Sequence, residues 1–264
     1  MNRVSRSGDR THCGPHQERG VLTGSLPQVT VNGRPILRMQ DPGVYTSGCP
    51  DSVTPIRVLE GAATVRAGGR PIAAVFCKTS HPHSPGLVVS GSFDVMVGGP
   101  TVNVLERARA DGIAQIDKSL AALDRWNEED RANFRRWFGE DSEEARALIR
   151  DRLERMRARA EEAEFKHGNE DGSYGHVYPS KVKDIYVNDR FFQEEDEQAG
   201  TVVHELSHFK DTGHTDDVEA DVCDPKQTGD RKCYGRGDAK RLAKESPKDA
   251  QNNAANVEYF AMNS

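Results

Sequence analysis

The sequence predicts a two-domain chain, with a small β-structure built from hairpin repeats over residues 1–104 and a mainly α-helical domain with a short edge sheet over residues 105–264. The first stretch is rich in Gly, Pro, Val and Thr, shows little helical periodicity and repeats itself. Near Val104-Leu105 the composition switches abruptly to Ala, Glu, Arg and Leu, which marks the domain boundary. From residue 167 onward, short strand and helix patterns mix around the segment HELSH at 204–208.

The repeats are VLTGSLPQVTVNGRPI (21–36), VLEGAATVRAGGRPI (58–72) and VVSGSFDVMVGGPTV (88–102). Each has a short apolar segment, a Gly, an alternating strand and a two-residue turn: Asn32-Gly33, Gly68-Gly69 and Gly98-Gly99. Such pairs suit type I′ hairpin turns, because both positions accept positive φ. Repeats of this size bury their apolar faces by stacking on one another, as in a β-solenoid. The connections carry His12, Cys13, His16, Cys49, Cys77, His81 and His83. Any one of these alone reads as an ordinary loop residue. Their recurrence at matching places predicts that they converge, and three imidazoles with one thiolate make a closed tetrahedral zinc site.

GDRTHCG (8–14), GSLPQVTVNGRPILRMQDP (24–42), EGAATV (60–65) with its following GRPI, and SGSFDVMVGG (90–99) give this zone a resemblance to the PAAR domain, the cap on the spike of the type VI secretion apparatus. The resemblance implies a zinc-braced β-cone docked on a trimeric VgrG-type spike. It carries the structural zinc role to His12, Cys49, His81 and His83, with His16 in reserve. SGCPDS lacks the usual His after Cys, and AAVFCK stands where an Arg-x-Gly-Asp-like turn is expected.

In the middle zone, Ile113, Ile116, Leu120 and Leu123, then Leu148, Ile149, Leu153 and Met156, recur at helical spacing. Gly139 can end one helix, and Asp141 or Ser142 can cap the next. The charge-rich RDRLERMRARAEEAE reads as a solvated face with i,i+4 pairs.

HELSH fits H-E-x-x-H. On a helix, residues four apart share a face, so His204 and His208 can reach one zinc ion with Glu205 beside it as the catalytic carboxylate. By itself the pattern is as compatible with two histidines on an ordinary amphipathic helix. Third-ligand candidates follow at once, and KDIYVNDRFF (183–192) upstream reads as an edge strand able to pair with extended substrate. His214 stands at the metzincin spacing, but Asp211 occupies the place where that pattern needs Gly. Asp217 suits a longer loop that returns a carboxylate to the metal, and is the favoured ligand.

WFG (137–139), IYVNDRFF (185–192), HELSHF (204–209), TDD (215–217), CYG (233–235) and NNAANVEYFA (252–261) resemble the deuterolysin-like, or aspzincin, metallopeptidases, including their lysine-specific branch. The resemblance implies Asp217 as third zinc ligand and Tyr234 as a transition-state donor. EADVCDPKQTGDRKC is inserted between them relative to the family pattern; Cys223 and Cys233 bracket its tip, either as a disulfide that returns Tyr234 to the site or as two thiols. Glu258 matches one of the two acidic residues that bind the substrate ammonium in the lysine-specific branch. Ala255 replaces the other, which predicts a broader or different specificity.

The net charge of −6, with no long Lys/Arg block, argues against a nucleic-acid partner. No apolar run approaches the roughly 20 residues needed to cross a bilayer. MNRVSRSGDRTHCG lacks the apolar stretch of a secretory signal, so export is expected to use another route. Five cysteines are too few for a disulfide-dense scaffold. Together these readings predict a type VI effector made in the bacterial cytoplasm and delivered into a target cell: a PAAR-like cap carrying a zinc metalloendopeptidase. It would hold one catalytic and one structural zinc, act on a protein or peptide substrate, and be paired with an immunity protein. The competing expectation is a structural spike tip whose C-terminal domain binds zinc and cleaves nothing.

Overall fold

Asn-Gly and Gly-Gly pairs turn a chain back on itself, and the N-terminal part of the molecule is built from that move. The computed structural model describes residues 1–13, 18–45, 54–80, 85–98, 101–168, 173–178, 181–192, 194–224 and 231–264. The chain divides into two compact units, Met1–Arg107 with Lys166–Asn169, and Ala108–Phe165 with Glu170–Ser264.

In the first unit, Thr30–Val31 pairs with Arg34–Pro35 across Asn32 (φ 51°) and Gly33 (φ 74°). Glu60–Ala67 pairs with Arg70–Ile72 across Gly68 (φ 53°) and Gly69 (φ 80°). Both turns use two left-handed residues, as a type I′ hairpin requires. The strands flanking the third Gly pair find other partners, and its Gly99 lies outside the described residues. Met96–Val97 instead pairs with Asn2–Arg3, while Thr101–Asn103 pairs with Glu60–Ala67. The N-terminal strand thus supplies the second arm of the third hairpin.

That substitution closes an internal three-fold arrangement. Ser5 N–H donates to Ala73 O (3.0 Å), Ala73 N–H to Leu37 O (2.9 Å), and Leu37 N–H to Ser5 O (2.8 Å). This is a closed ring of backbone bonds between equivalent residues. Each is followed by a four-residue turn, Arg6–Asp9, Arg38–Asp41 and Ala74–Cys77, whose third residue is left-handed: Gly8 (82°), Gln40 (73°) and Phe76 (74°). In each turn the fourth side chain accepts from the first backbone N–H: Asp9 at 2.7 Å, Asp41 at 2.9 Å, and Cys77 Sγ at 3.3 Å. The turns then pair with Leu22, Val58 and Val88, which are buried in one core.

Among the described residues the expected solenoid coil is not seen, and every strand pair in this unit is antiparallel. Six strands run in the order Lys78–Thr79, Gly86–Val88, Arg10–Cys13, Glu18–Leu22, Pro42–Tyr45, Thr54–Arg57. A bridge between Val58 and Thr79 joins the two ends of this series, which removes exposed strand edges. His12 lies half-buried in Arg10–Cys13, opposite Leu87 and Arg19. The other expected tip ligands, Cys49, His81, His83 and the reserve His16, lie outside the described residues.

The second unit is carried by helices. Helix α1 (Val104–Arg125) begins in the first unit and continues into the second. Helix α2 (Glu128–Phe138) starts with a capping box, in which Asn127 accepts from Asp130 N–H and the Asp130 side chain from Asn127 N–H. It ends at Gly139 (φ 77°), where a Cβ would lie 2.0 Å from Ala243 O, so the position needs glycine for both conformation and space. Ser142 caps α3 (Glu143–Glu162). Then come α4 (Gln198–His208), α5 (Arg236–Glu245), α6 (Pro247–Asn252) and α7 (Ala254–Met262). Phe134, Phe138 and Phe260 pack ring against ring, and all three are fully buried. Each such ring contributes roughly 1.5–3 kcal/mol of burial free energy. The cluster fixes α2 against α7, and α7 packs on α4.

A three-stranded sheet runs in the order Glu164–His167, Asp184–Val187, Gly175–Val177. The segment expected to be an edge strand is therefore the central one, and it ends at Val187 because Asp189–Phe192 turns into a 3-10 helix. The outer strand beside α4 is Gly175–Val177. No helix among the described residues is long and apolar enough to cross a membrane.

Candidate metal centre

One turn of α4 separates His204 from His208, so their rings project from one face, with centroids 5.0 Å apart. Each ring is held through its Nδ1. Glu258 Oε2, on α7, accepts from His204 Nδ1–H at 3.0 Å, and the backbone carbonyl of Thr215 accepts from His208 Nδ1–H at 2.8 Å. Both partners are acceptors, which assigns the proton to Nδ1 and leaves the Nε2 lone pairs facing outward. Asp217 Oδ1 lies 3.2 Å from His204 Nε2 and 3.5 Å from His208 Nε2.

The loop after α4 delivers that carboxylate. Thr215 is tied back to the helix by Ser207: the two hydroxyls are 2.6 Å apart, and Thr215 N–H donates to Ser207 O at 3.1 Å. Asp216 then forms a parallel bridge with Asn253, at the start of α7. His214 is an exposed loop residue with φ of 47° and is not in the donor cluster. Beyond Asp217 the chain makes its insertion and comes back through a Cys223–Cys233 disulfide. Tyr234 follows directly, and its hydroxyl donates to Asp217 Oδ2 at 2.7 Å.

Glu205 points from the same helix into a buried position. Its Oε2 is shielded from solvent and has no hydrogen-bond partner. Burial pushes its carboxyl above the ordinary range, partly offset by the two imidazoles. Burial opposes ionisation of Asp217 too, but the hydrogen bonds and charge of His204 and His208 outweigh it and hold that carboxyl well below the usual range. At His204 burial disfavours the cation, yet Asp217 and Glu258 raise the ring well above its ordinary value.

Among the described residues, His204, His208 and Asp217 are the one group of three such side chains able to share a cation, with ligand atoms all within 4.8 Å of one another. Two neutral imidazoles and a carboxylate oxygen suit zinc, and both second nitrogens already have the outer partners that metal-bound histidines use. An orphaned carboxylate oxygen beside them is the group an added water would satisfy. The donor set fits the ion.

Helix-borne imidazoles, a returning loop acid and a buried carboxylate beside them define a metal-centre domain of the metallopeptidase class. The chain belongs to the lysine-specific metallo-endopeptidase, or aspzincin, family, which residues 124–262 match. It is 32% identical over 165 residues to an extracellular protease of Aeromonas hydrophila, covering 58% of this chain and 41% of that protein. It is 36% identical over 96 residues to a peptidyl-Lys metalloendopeptidase of Grifola frondosa, covering 35% of this chain and 24% of that protein. The chain therefore spans less than half the length of these curated relatives. The solved zinc peptidase from Grifola frondosa superposes with a TM-score of 0.52 at 27% identity, covering 61% of this chain and 93% of that one. Family membership implies zinc.

The structure brings His204, Glu205, His208, Asp217 and Tyr234 together, and Glu258, expected to bind a substrate ammonium, lies against His204. Sequence reasoning missed the contact between Glu258 and His204, the Thr215 carbonyl, and Asn253. The carbonyl leaves no mark in a sequence. Asn253, in the doublet before α7, is visible as a residue but reveals its partners only in three dimensions.

Proposed function

We propose that the second unit is a zinc-dependent metalloendopeptidase of the H-E-x-x-H type, with His204, His208 and Asp217 as ligands. The observation that carries this reading is the convergence of those three donors beside a buried, partner-free Glu205 oxygen. Zinc bound there supplies Lewis acidity toward a peptide carbonyl and toward water. Glu205, raised by burial, takes the proton of the attacking water as its oxygen bonds to the carbonyl carbon. It then gives that proton to the departing amine as the C–N bond breaks. Tyr234, half-exposed and bonded to Asp217, is placed to turn its hydroxyl toward the developing oxyanion. The outer strand Gly175–Val177 supports binding of extended substrate, since a Cβ on Gly175 would lie 3.4 Å from Glu205 Oε1. Glu205→Gln in the full chain is expected to keep fold and zinc and lose at least a hundredfold in peptide hydrolysis. Proteolysis retained in that variant removes Glu205 from the mechanism.

The Grifola frondosa relative is named a peptidyl-Lys metalloendopeptidase, but here Ala255 occupies one of the two expected acidic positions and Glu258 is engaged with His204. Broader or different specificity follows. For the whole chain we propose a type VI effector in which a PAAR-like cap with its own structural zinc rides on a trimeric VgrG-type spike. Its internal three-fold ring supports this reading, because it matches the symmetry of a trimeric partner. In this role the protein leaves the bacterial cytoplasm through the type VI apparatus and is neutralised in the producer by an immunity protein. A non-catalytic zinc-binding adaptor is the alternative. Growth inhibition of target cells that depends on Glu205 separates the two.

A further inference from the structure

Asp217 and Tyr234 enter the metal centre from opposite ends of an insertion, and a loop of that length does not by itself return its ends in register. The Cys223–Cys233 disulfide ties the returning end to the loop's own wall, not to Asp217. The side chain that reaches both ends is Asn253. It is fully buried, and each end of its carboxamide is used. Oδ1 accepts from Val218 N–H, the residue after Asp217, at 3.1 Å. Nδ2 donates to Cys233 O, the residue before Tyr234, at 3.1 Å, and to Asn256 Oδ1 at 2.7 Å.

The surroundings fix that carboxamide in turn. Asp216 N–H donates to Asn252 O at 2.9 Å, and Ala254 N–H to Asp216 O at 3.0 Å, so the backbone on both sides of Asn253 grips the ligand loop. Cys233 N–H donates to Val218 O at 3.0 Å and draws the two ends together. Asn256, also fully buried, donates to Trp137 O and to Ala239 O at 2.9 Å, which anchors the arrangement to α2 and α5.

We infer that Asn253 is a positioning residue that sets the third metal ligand and the tyrosine hydroxyl at their working separation. The chemistry requires an amide. Aspartate can accept from Val218 N–H but has no donor for Cys233 O or Asn256 Oδ1, and it buries a charge between acceptors. Alanine leaves two backbone groups and the Asn256 oxygen without partners. Neither substitution touches the ion, the water or the substrate.

The inference rests on the assignment of Asp217 and Tyr234 to the site, so the test runs Asp217→Ala beside Asn253→Ala, each in the full chain. Zinc affinity is read by competition with a chromogenic chelator, and hydrolysis by kcat and KM separately. Asn253→Ala is expected to weaken zinc at least tenfold and to lower kcat by tenfold or more with little change in KM. In a double-mutant cycle, the effect of Tyr234→Phe on kcat is expected to shrink several-fold once Asn253 is changed, because the phenol is already out of place. A purely structural role for Asn253 leaves that effect intact. If Asn253→Ala does not fold, Asn253→Ser, which keeps a small hydroxyl there, takes its place in the cycle. Unchanged zinc affinity, or full additivity with Tyr234→Phe, overturns the inference. Should Asp217→Ala itself keep zinc and activity, the site assignment fails instead.

Discussion

Replacing Gly200 with alanine sets two effects of known size against each other. Gly200 lies inside α4, and alanine at such a position ordinarily stabilises a helix by about 1 kcal/mol. Here the new Cβ would stand 2.7 Å from Glu258 Oε1, so the carboxylate must retreat by roughly 0.7 Å to reach ordinary contact. Moving the end of a flexible side chain costs little. That same carboxylate, however, accepts from His204 Nδ1–H at 3.0 Å, and the retreat takes it past the hydrogen-bond limit of about 3.2 Å. A hydrogen bond to a charged group contributes about 1.5–3 kcal/mol, and an outer partner of a metal ligand is worth about 10–100-fold in metal affinity. Gly200→Ala is therefore expected to leave the melting temperature of the metal-free protein nearly unchanged or slightly lower, while zinc affinity and kcat/KM each fall at least tenfold. Chelator competition and steady-state hydrolysis read the two. A variant stabilised by about 1 kcal/mol with unaltered zinc affinity would refute the reasoning, because Glu258 would then have no hold on His204.

The disulfide and the buried thiol give two further checks. Cys223 and Cys233 are 10 residues apart, so loss of the bridge in the Cys223→Ser/Cys233→Ser pair should cost roughly 2.7 kcal/mol by loop entropy, and lower kcat because Tyr234 follows it directly. An unchanged urea midpoint contradicts this. Burial pushes the Cys77 thiol up to about 11, so it should resist iodoacetamide at pH 8 in the folded protein and react once urea is added. Because the folded-state value is the raised one, its contribution to stability is complete below pH 9 and drains away as pH climbs toward 11. Rapid labelling of the native chain at pH 8 would show that the turn around Ala74 is open.

Local chemistry made much of this molecule legible. Asn32-Gly33 and Gly68-Gly69 announce their turns because few other pairs hold two positive φ values, and Gly139 and Ser142 mark a helix stop and start for similar reasons. The spacing of His204 and His208 carries the geometry of one helix face. What stayed hidden depends on distant partners. MNRVSRSGD looks unlike GRPILRMQD, yet Ser5 and Leu37 occupy equivalent places in one backbone ring, because backbone bonds do not ask for particular side chains. Asp184–Val187 reads as an edge strand until Glu164–His167 is found on its other side, a pairing that no local pattern encodes. Glu258 likewise reads as an acid for substrate until the packing of α7 on α4 puts it against His204.

Anomalous diffraction at the zinc edge, on crystals of the full chain grown with the metal, tests the account where it is most exposed. It predicts a peak on α4 about 2.0–2.2 Å from Nε2 of both His204 and His208 and from an oxygen of Asp217, with Glu205 close by but not bound to the ion. A peak elsewhere in the second unit, or an ion held by Glu205 or His214 in place of Asp217, would contradict it.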